Sequence, residues 1–201
     1  MYDYELTKEA LERFRTHVIS QARRNLTREG KTASNKLYEG LTSDIKTSPN
    51  SIQVLFNMPY YGAFVDEGVK GANPNYNHGF KNAEKLSYQK APDSQYRFGT
   101  GSGPSGGLRK GLKDWVRTKG IKGRIKKGSP GAGRFITNKS LIFLLSRSIY
   151  SQGITPTKFF SNPFNSAFAN LPDELADNFG LDLVDLFDDT MNEVLKDYKK
   201  N

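Results

Sequence analysis

Apolar residues in the first thirty positions recur at intervals of three and four: Leu6, Ala10, Leu11, Phe14, Val18, Ala22 and Leu26, with charged and polar residues between them. At 3.6 residues per turn they fall on one face, so the stretch predicts a long amphipathic helix that buries that face. Gly30 interrupts the pattern. Ala33, Leu37 and Leu41 then repeat it briefly in TASNKLYEGL, which predicts a second, short helix. From Ser43 the period falls to two: Ile45 and Thr47, then Ile52, Val54 and Phe56 alternating with Gln53, Leu55 and Asn57. The intervening Ser48-Pro49-Asn50-Ser51 has the composition of a turn, so the segment predicts a β-hairpin.

Helical spacing returns further on. LRKGLKDWVRTKG sets Leu108, Leu112, Trp115 and Val116 on one face and ends at Gly120. SLIFLLSRSIYSQG contains a run from Leu141 to Leu145 that is apolar all round, which predicts a buried helix with Gly153 as its C-cap. Pro163, preceded by Asn162 as N-cap, opens a predicted helix through Asn170. Leu183, Leu186, Phe187, Met191, Val194 and Leu195 outline a terminal amphipathic helix with acidic flanks. The expected fold is α+β: a long N-terminal amphipathic helix packed on a small antiparallel sheet, followed by further C-terminal helices. A single domain over 1–201 is expected, with extended loops at 71–107 and 121–138 and an acidic helical extension at 172–201. Both loops are rich in glycine and polar residues and lack sustained periodicity.

Charge divides the chain. The net +9 is the sum of a basic body, residues 1–172, with 27 Lys/Arg against 12 Asp/Glu, and a tail, residues 173–201, with three against nine. The body suits nucleic acid or acidic protein surfaces, and the tail suits a basic face on another subunit. There are no cysteines, which removes disulfides, thiolate metal sites and cysteine nucleophiles and fits a reducing compartment. The N-terminus, MYDYELTKEALERFR, is charged from its third residue and has no apolar core of a signal peptide. No run approaches the roughly 18 apolar residues of a membrane span. The expectation is a soluble chain without a secretory leader.

The chemical inventory is thin. GTGSGPSGG at 99–107 has the composition of a phosphate cradle but lacks the preceding buried strand, and GSPGAGRF at 128–135 lacks the Lys-Ser/Thr of a P-loop. Both read as flexible loops. His17 and His78 are far apart with no metal-ligand spacing. Asp66 and Glu67 are adjacent in YYGAFVDEGVKG, so they point in different directions and do not face each other as a general acid and base. No catalytic residue, metal site or cofactor is expected. A cell-wall hydrolase would rest on scattered carboxylates alone. The basic run from Arg97 to Lys139 holds 12 Lys/Arg and one acid, Asp114. Within it Arg109, Lys110, Lys122, Arg124, Lys126 and Lys127 are the candidate contacts to DNA or to a partner protein. Aromatic residues for base stacking are sparse between Leu108 and Lys139, Trp115 and Phe135 only, which favours the protein partner.

The order of these elements resembles the tail-component family of tailed bacteriophages, the small neck and tail-completion proteins at the head–tail junction. Residues 6–170 carry the resemblance. Ala33-Ser34-Asn35-Lys36-Leu37-Tyr38 is similar to the family's turn after the first helix, with Asn35 where glycine is common. Tyr61, Phe64, Val65, Asp66 or Glu67, and Gly68 match its Tyr-x-x-Tyr/Phe-Val-Glu/Asp-x-Gly element. Pro156, Phe159, Phe160, Pro163 and Phe164 match its closing proline–aromatic element. The two long loops and the acidic terminal helix exceed the minimal family pattern. The resemblance implies a non-enzymatic virion protein, made in the host cytoplasm. It implies a homo-oligomeric ring stacked between the portal-proximal connector and the tail, through which DNA passes. In this picture Tyr61, Phe64 and Val65 pack toward the first helix and hairpin, Gly68 releases the chain, and Asp66 or Glu67 anchors the turn or meets a neighbour's cation. The alternative function is non-specific DNA binding through 97–139.

Overall fold

A computed structural model of the chain describes residues 4–31, 34–48, 51–72, 89–100 and 107–198. The fold is α+β, with helices α1 (Glu5–Arg28), α2 (Lys36–Gly40), α3 (Tyr61–Glu67), α4 (Gly107–Lys119), α5 (Asn138–Gln152), α6 (Ser161–Phe168) and α7 (Leu171–Tyr198). Strands β1 (Thr42–Ser48) and β2 (Ser51–Asn57) form one antiparallel pair, β3 (Val69–Lys70) and β4 (Gly153–Ile154) a second. The chain divides into two compact units: Met1–Arg28 with Tyr38–Met58 and Phe159–Asn201, and Glu29–Leu37 with Pro59–Lys158.

In the first unit α1 buries Ala10, Leu11, Phe14, Val18, Ala22 and Leu26, the stripe its spacing predicts. The hairpin pairs from Thr42 opposite Asn57 to Ser48 opposite Ser51, with Pro49 and Asn50 outside the described residues. Period-two alternation turns Ile52, Val54 and Phe56 to one face, where they meet Leu11, Phe14, Val18 and Leu171. Phe14 stands edge-on to Phe56 and Phe164, at 6.0 and 5.7 Å between centroids, and Phe56 meets Phe160 at 5.4 Å. α6 starts at Ser161, two residues before the expected Pro163, and its N-cap is Phe160 rather than Asn162. Phe160 supplies no side-chain cap; its ring is engaged with Phe56 and Phe164, so packing sets this helix start where capping chemistry does not. α7 contributes Leu171 and Leu175 to the same core. Further along α7, the Asp182 carboxylate accepts hydrogen bonds from the amides of Leu6 (3.1 Å) and Thr7 (3.0 Å) and from the Thr7 hydroxyl (2.7 Å). Those amides open α1 and have no partner within it. Burial by itself pushes the Asp182 carboxyl up, but these three hydrogen bonds outweigh it and hold the group below the usual aspartate range.

In the second unit α4 buries Leu112 and Val116 and leaves Trp115 41% exposed. Gly120, at φ +62°, ends it as expected. Thr137 caps α5, its hydroxyl oxygen accepting from the Ser140 amide, and Gly153 closes the helix with its N–H on the Ile149 carbonyl. The expectation that Leu141–Leu145 is buried all round holds only for Leu141: Phe143 is 43% and Leu144 54% exposed. Helix α5 packs on α4 through one face, so the far side of an apolar run emerges. The 121–138 segment folds back on itself as an irregular hairpin, with Ile125 N–H donating to Arg134 C=O (2.9 Å) and Ile136 N–H to Gly123 C=O (2.9 Å).

Candidate functional site

Tyr61–Gly68 and the start of the closing element, Pro156–Lys158, are adjacent in space. YYGAFVDEGVKG is helical where a turn is expected: α3 runs from Tyr61 to Glu67, and Gly68 at φ +74° redirects the chain into β3. There Val69 pairs with Ile154 and Lys70 with Gly153. A helix end leaves its last four carbonyls unpaired, and the segment after β4 supplies the donors. Thr157 donates to the Val65 carbonyl from both its amide (3.1 Å) and its hydroxyl (2.8 Å), and the Lys158 amide donates to the Asp66 carbonyl (2.9 Å). On the other side of β3, the Lys70 amide donates to the Tyr96 carbonyl and the Phe98 amide to the Lys70 carbonyl. The Ser94 hydroxyl, itself buried, donates to the Gly68 carbonyl at 2.8 Å.

Three glycines permit this approach of backbones. A Cβ at Gly68 would stand 2.5 Å from the Ile154 carbonyl oxygen and 2.7 Å from the Pro156 nitrogen. At Gly71 it would overlap the Ser151 carbonyl, and at Gly153 the Val69 carbonyl. The sequence singles out Gly68 for its turn and Gly153 for its cap; the contact role of Gly71 becomes visible only once its neighbour across the sheet is known.

Side chains at the junction are sorted by burial. Asp66 is 3% exposed, while Glu67 accepts two hydrogen bonds from Gln95 Nε2 at 2.9 and 3.1 Å. Phe64 is edge-on to Tyr60 (5.1 Å) and Tyr96 (4.6 Å). Both ring partners belong to its own unit, and the helical path from Tyr60 stacks residues i and i+4. Tyr61 remains 41% exposed, and desolvation of its covered part pushes the phenol above its ordinary value. In the closing element Phe159 is fully buried, Pro163 is buried in α6, and Phe160 is shared with Phe56 and Phe164.

The candidate cations lie elsewhere in the second unit. Arg109 and Lys110 are exposed on α4; Lys122, Arg124, Lys126 and Lys127 are exposed on the irregular hairpin. Arg124 stacks over the Phe135 ring at 4.2 Å and donates to the Gly133 carbonyl, and Lys122 approaches the same ring at 5.7 Å. Gly128, Gly131 and Gly133, all at positive φ, make the turns that fold this segment. Arg109 and Arg147 both sit over Phe143, at 5.4 and 5.5 Å. Arg147 and Phe143 were outside the sequence-based candidates; their i, i+4 spacing on α5 beside a basic α4 was the available signal.

The main depressions are open and lie along the outer face of α1, one lined by Arg15, Arg23, Arg24, Arg28 and Tyr38, the other by Glu12, Arg13 and His17. Arg15 and Arg23 have structural work there: Arg15 holds Ser43, and Arg23 donates to the carbonyls of Tyr38 and Leu41. Among the described residues no three His, Cys, Asp or Glu side chains converge on one point, and no helix is long and apolar enough to cross a membrane. His78 and most of 99–107 lie outside the described residues. No family model, curated protein or solved structure matches the chain.

Proposed function

We propose that the chain is a structural virion protein of a tailed bacteriophage, a ring-forming neck subunit of the tail-completion or tail-terminator type. It joins the portal-proximal connector to the tail and leaves a channel for DNA. The observation that carries this reading is the junction itself: the two pattern elements that suggest the family, about 90 residues apart, bond to each other through Val65, Asp66, Thr157 and Lys158. The contacts of the site also suit assembly: among the described residues Asp66 is the buried carboxyl-bearing residue, its backbone carbonyl takes part in the junction, and the two depressions along α1 are open. The test is mass spectrometry of purified particles of the phage that encodes the chain. Its presence at a fixed ratio to portal and tail proteins is the expected result, and its absence from intact particles sinks the reading.

A second reading, non-specific DNA contact, is favoured by one observation. The cations of 121–138 are arrayed on a folded hairpin with an exposed ring, Phe135, beneath Arg124. Cation arrays of this kind bind phosphate in a strongly salt-dependent way. A ring that encloses DNA accommodates both readings.

A further inference from the structure

Helix α7 carries two opposite faces. Leu171, Leu175 and Asp182 serve α1, whereas Val184, Phe187 and Met191, at i, i+3 and i+7, lie on the other side and are 57%, 69% and 56% exposed. Asp177 and Asp188 are exposed on that same outer face, seven residues before and four after Val184. An apolar stripe rimmed by carboxylates calls for a partner that is apolar and basic. Pairing of two α7 helices would set these aspartates against their own kind, so self-pairing is disfavoured. The chain itself bears the complement on α5 and α4. Phe143 and Tyr150, 43% and 46% exposed and seven residues apart, form an apolar strip, Leu144 extends it, and the guanidinium groups of Arg109 and Arg147 lie over Phe143.

From this complementarity we infer that the outer face of α7 docks on the Phe143–Tyr150 face of a second copy of the chain. The Val184–Phe187–Met191 stripe covers the aromatic strip, and Asp177 and Asp188 meet Arg109 and Arg147. The contact uses two different surfaces, so each copy keeps one of each free for the next, and repetition closes a ring or extends a filament. Being partly ionic, it weakens with salt. The inference deepens the proposed ring and rests on that reading for its place in the particle.

The test is a charge swap in the full chain, read by sedimentation over a concentration series with circular dichroism to verify folding. Wild type assembles beyond the monomer. Asp177→Lys with Asp188→Lys abolishes assembly, as does Arg109→Glu with Arg147→Glu, and an equimolar mixture of the two variants restores it, because each supplies the face the other has reversed. Because the chain has no cysteine, Met191→Cys and Leu144→Cys give a second measurement that needs no reversed charge. Mixed and treated with a bismaleimide, the two single variants yield mainly the heterodimer joined between those positions. A monomeric wild type, reversed variants that assemble like wild type, or equal homo- and heterodimer cross-linking overturns the inference. Particles that contain the chain while the swap fails would leave the neck reading standing. A successful swap with particles lacking the chain would do the reverse.

Discussion

Adding one methyl group at Gly68 measures how tightly the two motif halves are joined. The residue sits at φ +74° and ψ −176°, a region open almost only to glycine. An alanine held there costs about 1–3 kcal/mol in backbone strain. The new Cβ also stands 2.5 Å from the Ile154 carbonyl oxygen, 2.7 Å from the Pro156 nitrogen and 3.0 Å from the Ala91 Cβ. Two of those atoms are backbone and cannot rotate away, and overpacking of this kind costs roughly a further 1–3 kcal/mol. The alternative is to part β3 from β4 and give up the Thr157 and Lys158 hydrogen bonds, at about 0.5–1.5 kcal/mol each. Either route predicts that Gly68→Ala destabilises by about 2–5 kcal/mol, a large share of the roughly 5–15 kcal/mol of a typical domain.

Gly111→Ala is the matched control. Gly111 lies inside α4, and a Cβ there meets nothing within 4 Å. Relief of backbone entropy should stabilise by about 0.5–1 kcal/mol. Trp115 is the sole tryptophan and belongs to the same unit as Gly68 and Gly111, so its fluorescence in a urea titration reports both substitutions. Hydrogen exchange at Thr157 and Lys158 localises the effect, with faster exchange expected in Gly68→Ala alone. A Gly68→Ala midpoint indistinguishable from wild type, with Gly111→Ala shifted upward, would refute the reasoning.

Three further outcomes follow from individual residues. Asp182→Ala removes the cap on α1 and should cost about 1 kcal/mol in thermal or urea unfolding, the usual worth of such a cap at a partly exposed site. Because the folded carboxyl titrates below its unfolded value near 3.9, its contribution is complete above that pH and is lost as pH falls through the lower folded value. The stability difference between wild type and Asp182→Ala should therefore shrink on acidification and stay flat from pH 5 to 7; a gap that widens in acid contradicts the sign. Phe159→Ala empties a position with no solvent exposure and should cost about 3–5 kcal/mol, measured by denaturation and overturned by a loss below about 1 kcal/mol. Neutralising Lys122, Arg124, Lys126 and Lys127 together should lower DNA affinity and flatten its dependence on salt by several units of log–log slope. Unchanged retention on DNA would remove the second reading.

Local periodicity was enough to find α1, the hairpin and α4, because each buries one face and the period of that face is written in consecutive residues. It was also enough for the two glycine stops, Gly120 and Gly153, where positive φ is a local demand. What the sequence concealed depends on remote neighbours. The cap on α1 comes from Asp182, about 175 residues away, so nothing near Glu5 announces it. The all-apolar run at 141–145 does not say which half a single neighbouring helix covers, hence the exposed Phe143 and Leu144. The ring partners of Phe64 were hidden in part for the same reason: Tyr60 is close by in sequence, but Tyr96 is remote. The motif residues of the candidate site were legible one by one; their junction was not, because it consists of backbone hydrogen bonds to which sequence composition is nearly blind.

The inferred contact between copies has an energetic consequence for how a ring would form. Full burial of a large apolar side chain is worth about 1.5–3 kcal/mol, but Val184, Phe187 and Met191 are already 31–44% covered in the monomer, from exposures of 57%, 69% and 56%. Their burial against Phe143 and Tyr150 of another copy therefore contributes roughly 3–5 kcal/mol in sum. Two rim ion pairs add about 0–1 kcal/mol each. Association of two bodies costs about 4–15 kcal/mol in translational and rotational freedom, which offsets most or all of what one contact contributes. The last subunit to enter a ring makes two contacts while losing that freedom once, and only there does the balance turn clearly favourable. Sedimentation over a concentration series should accordingly show monomer and one closed species with little between them. A ladder of well-populated dimers and trimers would mean that single contacts are already strong, and the stripe on α7 would then be too small to account for them.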